Sequence, residues 1–200
     1  MVGTSWTHRI ARLAILPLVD TPITPNHLTT LRLVTGLAAC AMFAIGERSW
    51  DIWGGVVWVV SAFLDRADGE LARVSGKSSA WGHTYDYICD ELVNAAFFVA
   101  IGIGLRHSPL GDWAPALGIL TAGSLLSCGY WSEMLERQRN DGSKAYSGVW
   151  GFDFDDMLYL LGPLAWLDWL LPVLVCATAG AFAMAMLTGL RLHRLRRSDA

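Results

Sequence analysis

The chain has 200 residues, a length that fits one domain. It is 54% hydrophobic, carries ten tryptophans and is only 16% charged, against about a quarter in soluble domains, which excludes an ordinary soluble fold and points to an integral membrane protein. The net charge of −3 gives no sign of a nucleic-acid partner.

Along the chain, no Ala-x-Ala-like cleavage site follows a compact apolar core near the N-terminus, so no cleaved signal peptide is expected. Residues 1–20 instead contain "SWTHRIARLAILPLVD". Trp6, Ile10, Leu13 and Ala14 recur at helical spacing there, while His8, Arg9 and Arg12 fall elsewhere on the wheel. The pattern predicts an amphipathic helix lying in the membrane interface. "DTPITPN" then turns the chain inward.

Residues 28–192 read as a bundle of six transmembrane helices, over 28–45, 52–74, 85–105, 114–135, 156–170 and 171–192. Gly162 and Pro163 are expected to break the fifth, and Pro172 to mark the turn into the sixth. Cys40, Cys89, Cys128 and Cys176 are scattered through apolar helices with no CxxC pair, which suits small buried hydrophobes better than disulfides or a metal site.

Basic residues set the orientation. With the N-terminus inside, the cytoplasmic segments hold Arg9, Arg12, Arg73, Lys77, Arg137, Arg139, Lys144 and the tail arginines 191, 194, 196 and 197, and the opposite loops only Arg48 and Arg106. Both termini are therefore expected in the cytoplasm, with the protein in the cytoplasmic membrane if the source is bacterial. Trp50, Trp53, Trp113 and Trp169 fall near the far face, where an aromatic belt is expected.

The stretch "DRADGELARVSGKSSAWGHTYDYICD" breaks the apolar pattern. The apolar run of the second helix, 52–64, is too short for a span of about 20 residues, so the helix must continue through Asp65 and Asp68. The third helix needs Asp86 and Asp90 for the same reason. Asp65, Asp68, Gly69 and Ala72 share one arc of the second helix; Gly82, Asp86 and Asp90 line up one turn apart on the third. Two carboxylate pairs are thus expected to face each other below the cytoplasmic surface. Crowded acids at low dielectric repel, and each is costly to ionise. Arg73 alone cannot balance them, whereas two Mg²⁺ or Mn²⁺ ions can, since such hard cations prefer oxygen ligands. Two metals side by side also suit displacement at phosphorus. A solvated acidic loop and a cation path in a transporter are the alternatives on physics alone. "SGKSS" is no phosphate loop of the GxxxxGK[ST] type, because position 71 is leucine.

The same residues spell Asp65-x-x-Asp68-Gly69-x-x-Ala72-Arg73, then Gly82-x-x-x-Asp86-x-x-x-Asp90. This resembles, at every fixed position, the signature of the CDP-alcohol phosphotransferase (CDP-alcohol phosphatidyltransferase) family. The resemblance implies a six-helix membrane transferase with an interfacial N-terminal helix. Such an enzyme moves a phosphate-linked alcohol from a CDP-alcohol to an acceptor alcohol, releases CMP and builds phospholipid. By the same resemblance Asp65, Asp68 and Asp86 hold metal, and Asp90 serves the second metal position and is the catalytic general base. Gly69 and Ala72 leave room for the cytidine nucleotide, Gly82 extends that wall, and Arg73 meets the CDP phosphates. A homodimer is implied too.

"TPNHLTTLR" resembles the start of the first membrane helix in many members, which would place Asn26, Thr29 and Arg32 on the nucleotide side of the pocket. The plainer reading has Asn26 cap the helix, Thr29 pack and Arg32 snorkel. On the acceptor side, members acting on inositol- or glycerol-phosphate often carry a Tyr-x-Arg-Ala-like turn. Here "GYWSEMLERQ" has Tyr130 but Ser132 in place of the arginine. Arg137, Arg139 and Lys144 are candidates for a phosphate clamp, or simply positive-inside residues. Asp153 and Asp156, in "FDFDDMLYLLG", are candidates for acceptor hydroxyls, or simply open a helix. The donor expected is CDP-diacylglycerol. A soluble CDP-alcohol such as CDP-inositol, or a non-enzymatic divalent-cation transporter or binding protein, are the competing readings.

Overall fold

The computed structural model describes residues 6–139 and 156–198, and all the regular structure among them is helical. Helix α1 covers Trp6–Ile15, α2 Pro25–Ile45, α3 Arg48–Ser75, α4 Ala80–Gly104, α5 Trp113–Arg139, α6 Asp156–Trp166 and α7 Leu170–Ser198. Three of them are long and apolar enough to cross a membrane, over Pro25–Ile45, Ala80–His107 and Leu170–Leu195. That supports an integral membrane protein.

Local chemistry sets the ends. Pro25 opens α2 at its first turn, where a missing N–H costs nothing, and His27 Nδ1 accepts the Thr24 N–H at 3.2 Å. The cap residue is therefore Thr24 and not Asn26, because Pro25 already has helical geometry. Helix α3 runs unbroken through Asp65 and Asp68 and stops at Gly76, whose φ of 66° favours glycine. Ser79 caps α4, its Oγ accepting the Gly82 N–H at 2.9 Å. So residues 76–79 alone join the two acidic helices.

Helix α2 packs on α3 and α4, α4 on α5, α5 on α7, α3 on α6 and α1 on α3. The main core centres on Phe97, which no solvent reaches. Its ring lies 4.4 Å from Trp58 and 5.4 Å, edge-on, from Phe43. Small residues let backbones approach, as when Gly102 and Gly118 bring α4 against α5. A second cluster, Ile15, Leu28, Ala67 and Leu71, seats the short α1. Ala11 and Ile15 of α1 are buried, whereas Ile10 and Leu13 stay exposed, the face predicted to meet lipid.

Several expectations change. Pro163 lies inside α6 and does not break it. The lost N–H is offset by a ladder of side-chain bonds that fastens α6 to α3. Trp58 Nε1 donates to the Leu158 carbonyl at 2.9 Å, the Tyr159 hydroxyl to Ala62 at 2.8 Å and Trp166 Nε1 to Ile52 at 3.0 Å. Helix α6 ends at Trp166, short of residue 170, because Arg48 takes up the carbonyls of Ala165 and Trp166 and Asp168 turns the chain with a φ of 63°. Pro172 falls in the first turn of α7 and does not precede the helix. Arg106 likewise caps the Ala44 and Ile103 carbonyls, at 3.1 and 2.9 Å. All four cysteines are free, but only Cys40 and Cys89 are buried, and Cys176 is exposed.

Candidate functional site

The 76–79 loop joins α3 to α4, and α2 packs against both. Their cytoplasm-predicted ends enclose a cavity of about 340 Å³. All eight fixed positions of the acidic motif line it: Asp65, Asp68, Gly69, Ala72 and Arg73 from α3, and Gly82, Asp86 and Asp90 from α4. Asn26 and Thr29 of α2 line it too. Helical periodicity does this, since residues three and four apart share a face.

Oxygens of Asp65, Asp68 and Asp86 lie within 4.8 Å of one another. Asp68 is 3% exposed and accepts a hydrogen bond from Thr29 Oγ1 at 2.7 Å. Three carboxylates this close repel strongly unless a cation sits among them, and their oxygen donors suit Mg²⁺ or Mn²⁺. The site therefore fits a divalent metal. Asp90 is outside this trio, and its carboxylate meets Arg32 Nη1.

Arg32 is the residue whose placement departs most from the plain reading. It does not snorkel: it is 3% exposed, with Nε 2.9 Å from Asp65 Oδ1. The Ser61 hydroxyl donates to its carbonyl at 3.0 Å, tying α2 to α3 at the same level. The guanidinium thus links Asp65 of α3 to Asp90 of α4. Behind it, a cavity of about 10 Å³, room for one water, is lined by Arg32, Asp65, Asn94 and Tyr159. Asn94 stands one turn beyond Asp90, a continuation of the Asp86–Asp90 line that periodicity could have revealed.

The glycines divide. A Cβ on Gly69 would meet only Arg73 Nη2, at an ordinary 3.4 Å, so protein packing does not demand glycine there. A Cβ on Gly82 would come within 2.9 Å of Asn26 Oδ1 and 3.0 Å of Ser79 Oγ, so the ends of those two side chains would have to give way to it. Arg73 points its Nη2 at Glu70 Oε1, 2.9 Å away, and is otherwise exposed at the rim. Arg66, Lys77, Ser78, Ser79 and His83 also line the cavity without having been expected to. Arg66 and Glu70 are buried charges between fixed positions of the motif, where spacing carries no signal. Of the expected acceptor residues, Lys144 and Asp153 lie outside the described residues. Arg137 and Arg139 close α5 and Asp156 opens α6, with their side chains outside the description.

An all-helical membrane fold with an acidic, metal-suited cavity at one end defines the class. The sequence profile of CDP-alcohol phosphatidyltransferase matches residues 22–145, and the chain belongs to that family. Archaetidylinositol phosphate synthase of Pyrococcus horikoshii is 38% identical over 82 residues, covering 41% of this chain and 42% of its own length. Phosphatidylinositol phosphate synthase of Corynebacterium glutamicum is 30% identical over 113 residues, 55% of this chain and 51% of its own. The chain thus spans about half the length of these relatives. The Mycolicibacterium smegmatis phosphatidylinositol phosphate synthase is 26% identical over 88% of this chain and 79% of its own. Among solved structures, the Mycobacterium tuberculosis phosphatidylinositol phosphate synthase with CDP-DAG bound shares the fold. Its TM-score is 0.62 at 18% identity, over 94% of this chain and 90% of that one.

Proposed function

We propose that this protein is a metal-dependent transferase that moves a phosphatidyl group from CDP-diacylglycerol to an acceptor alcohol and releases CMP. The observation that carries the reading is the convergence of all eight motif residues on one cavity, with three carboxylates close enough to share an ion. The family supports the reaction class, and the names of the relatives support CDP-diacylglycerol as donor.

In this reading Asp65, Asp68 and Asp86 hold one divalent ion, and Asp90 with neighbouring acids serves a second. The ions supply positive charge for the diphosphate and the departing CMP. Arg73 at the rim meets the phosphates, and the N-terminal turns of α2 and α4, both at the cavity, add favourable backbone dipoles. Gly69 and Ala72 leave the nucleotide room against α3, with Asn26 opposite. Arg32 fixes Asp65 and Asp90 relative to each other. Asp90 takes the proton of the attacking hydroxyl, and the phosphorus–oxygen bond to CMP breaks as the new ester bond forms.

The chain is read as one domain with α2, α3, α4, α5 and α7 as full crossings and α6 as a short sixth. At about 1.5 Å per residue the 28 residues of α3 and 27 of α5 suffice for a bilayer core of about 30 Å. Basic-residue bias supports termini and cavity on the cytoplasmic side, with α1 in the interface; a homodimer is proposed on the family resemblance alone. Purified protein in lipid nanodiscs, given Mg²⁺ or Mn²⁺ and labelled CDP-alcohols, tests the reading. CMP is expected with CDP-diacylglycerol and not from Asp90→Asn protein of unchanged helicity. Release of CMP from CDP-inositol alone would move the donor to the soluble class. Proteoliposomes that carry Mn²⁺ while no CDP-alcohol yields CMP would replace the enzyme with a transporter.

A further inference from the structure

Lys77 is absent from the fixed positions of the motif, yet its ammonium is held by three backbone carbonyls at the cavity rim. Its Nζ lies 2.8 Å from the Thr21 carbonyl, 3.2 Å from Val19 and 3.3 Å from Ile23. An ammonium has three N–H donors, and all three go to one short segment, the linker between α1 and α2. No carboxylate pairs with it among the described residues, and a charge-assisted bond to a carbonyl is stronger than a neutral one.

Both ends of this strap belong to larger parts. On one side, Lys77 sits in the loop after Gly76, its own N–H reaching Ser75 Oγ at 3.3 Å, and Lys77, Ser78 and Ser79 form one wall of the cavity. On the other, the linker is knitted by Thr21, whose hydroxyl donates to Leu18 at 2.7 Å and accepts the Ile23 N–H at 3.3 Å. It leads straight into Pro25 and Asn26, which line the cavity as well. So the strap joins two stretches of the cavity lining that sit more than fifty residues apart in sequence, and it also joins them to α1.

We propose that Lys77 is a positioning residue for the CDP-alcohol, acting through the Val19–Ile23 linker that it holds against the 76–79 loop. This rests on the reading of the cavity as the donor site. With all its donors engaged, Lys77 shapes the pocket and does not grip the phosphates directly. The seating of α1 is thereby coupled to donor affinity.

The test uses the full chain in nanodiscs, with CDP and Mg²⁺ as the probe and backbone hydrogen exchange as a second readout. Lys77→Met is expected to weaken CDP binding about fivefold, raising donor KM alike and leaving kcat within about twofold. Thr21→Gly leaves the ammonium's charge in place and loosens the linker; it is expected to weaken CDP at least about twofold. The double variant should match Lys77→Met alone, since both cut the same strap. Amides of residues 19–24 should exchange faster in both variants, with those of α4 unchanged. Unchanged linker exchange in Lys77→Met overturns the strap, and so does faster exchange with unchanged CDP affinity. A Thr21→Gly protein with wild-type affinity, beside a weakened Lys77→Met, assigns the effect to charge alone and also overturns it. Wild-type protein that binds no CDP removes the donor-site reading itself, which separates that failure from the others.

Discussion

Arg32→Met keeps most of the stem and removes a buried cation in contact with two of the motif's four acids. At 3% exposure the guanidinium has little water to share its charge with, and the same holds for the acids it leaves behind. Removing one partner of a buried ion pair typically costs about 3–5 kcal/mol. Coulomb's law agrees, giving about 4 kcal/mol for unit charges 4 Å apart at an effective dielectric near 20. For a chain of this size each kcal/mol moves the melting temperature by about 2–4 °C, so the metal-free variant should melt roughly 6–20 °C lower. Divalent ions add stability by binding the folded state, about 2.7 kcal/mol at a hundred times the dissociation constant. They also relieve the repulsion that Arg32 relieves. The assay is thermal unfolding in nanodiscs with EDTA and with saturating Mg²⁺. The deficit should be large in EDTA and at least halve with Mg²⁺. A variant that melts within about 2 °C of wild type in EDTA, or whose deficit ignores Mg²⁺, would refute the reasoning.

Gly69→Ala should leave the fold intact or raise stability by about 0.5–1 kcal/mol, as alanine does in helices, while donor KM rises about tenfold; unfolding and steady-state kinetics together check both halves. Thr29→Val removes the 2.7 Å bond to buried Asp68 and should cost about 1.5–3 kcal/mol, with Thr29→Ser restoring most of it in the same melt. Gly162→Val places a carbon 2.5 Å from Val59 Cγ2 and 2.8 Å from the Gly55 carbonyl, an overpacking worth about 1–3 kcal/mol. It should free α6 from α3, seen as faster proteolysis near residue 166.

The acidic helices were readable because two physical demands agreed. Their apolar runs were too short to end before the aspartates, and their spacing put those aspartates on one face. The structure adds what a face alone cannot say, namely which neighbour meets it. Arg32 shows the difference: helical spacing leaves open whether its guanidinium reaches out to water or sideways to Asp65 and Asp90, and only the approach of α2 to α3 and α4 decides. Pro163 was misread because propensity treats a proline locally, whereas the Trp58, Tyr159 and Trp166 bonds that hold α6 come from a hundred residues away. Asn26 lost the cap to Thr24 by a shift of two residues, within the usual ambiguity of helix ends. Lys77 gave no periodic signal because it lies in a loop and bonds to backbone, which any sequence can supply.

The central claim is that carboxylates from α3 and α4 grip common ions on which donor chemistry depends. Counting Mn²⁺ by electron paramagnetic resonance in wild type, Asp65→Asn and Asp86→Asn, beside CMP release from the same samples, tests it directly. About two ions per wild-type chain are expected, with both variants losing tight Mn²⁺ and CMP release together. Variants that bind Mn²⁺ as wild type does and still release CMP at its rate would contradict it.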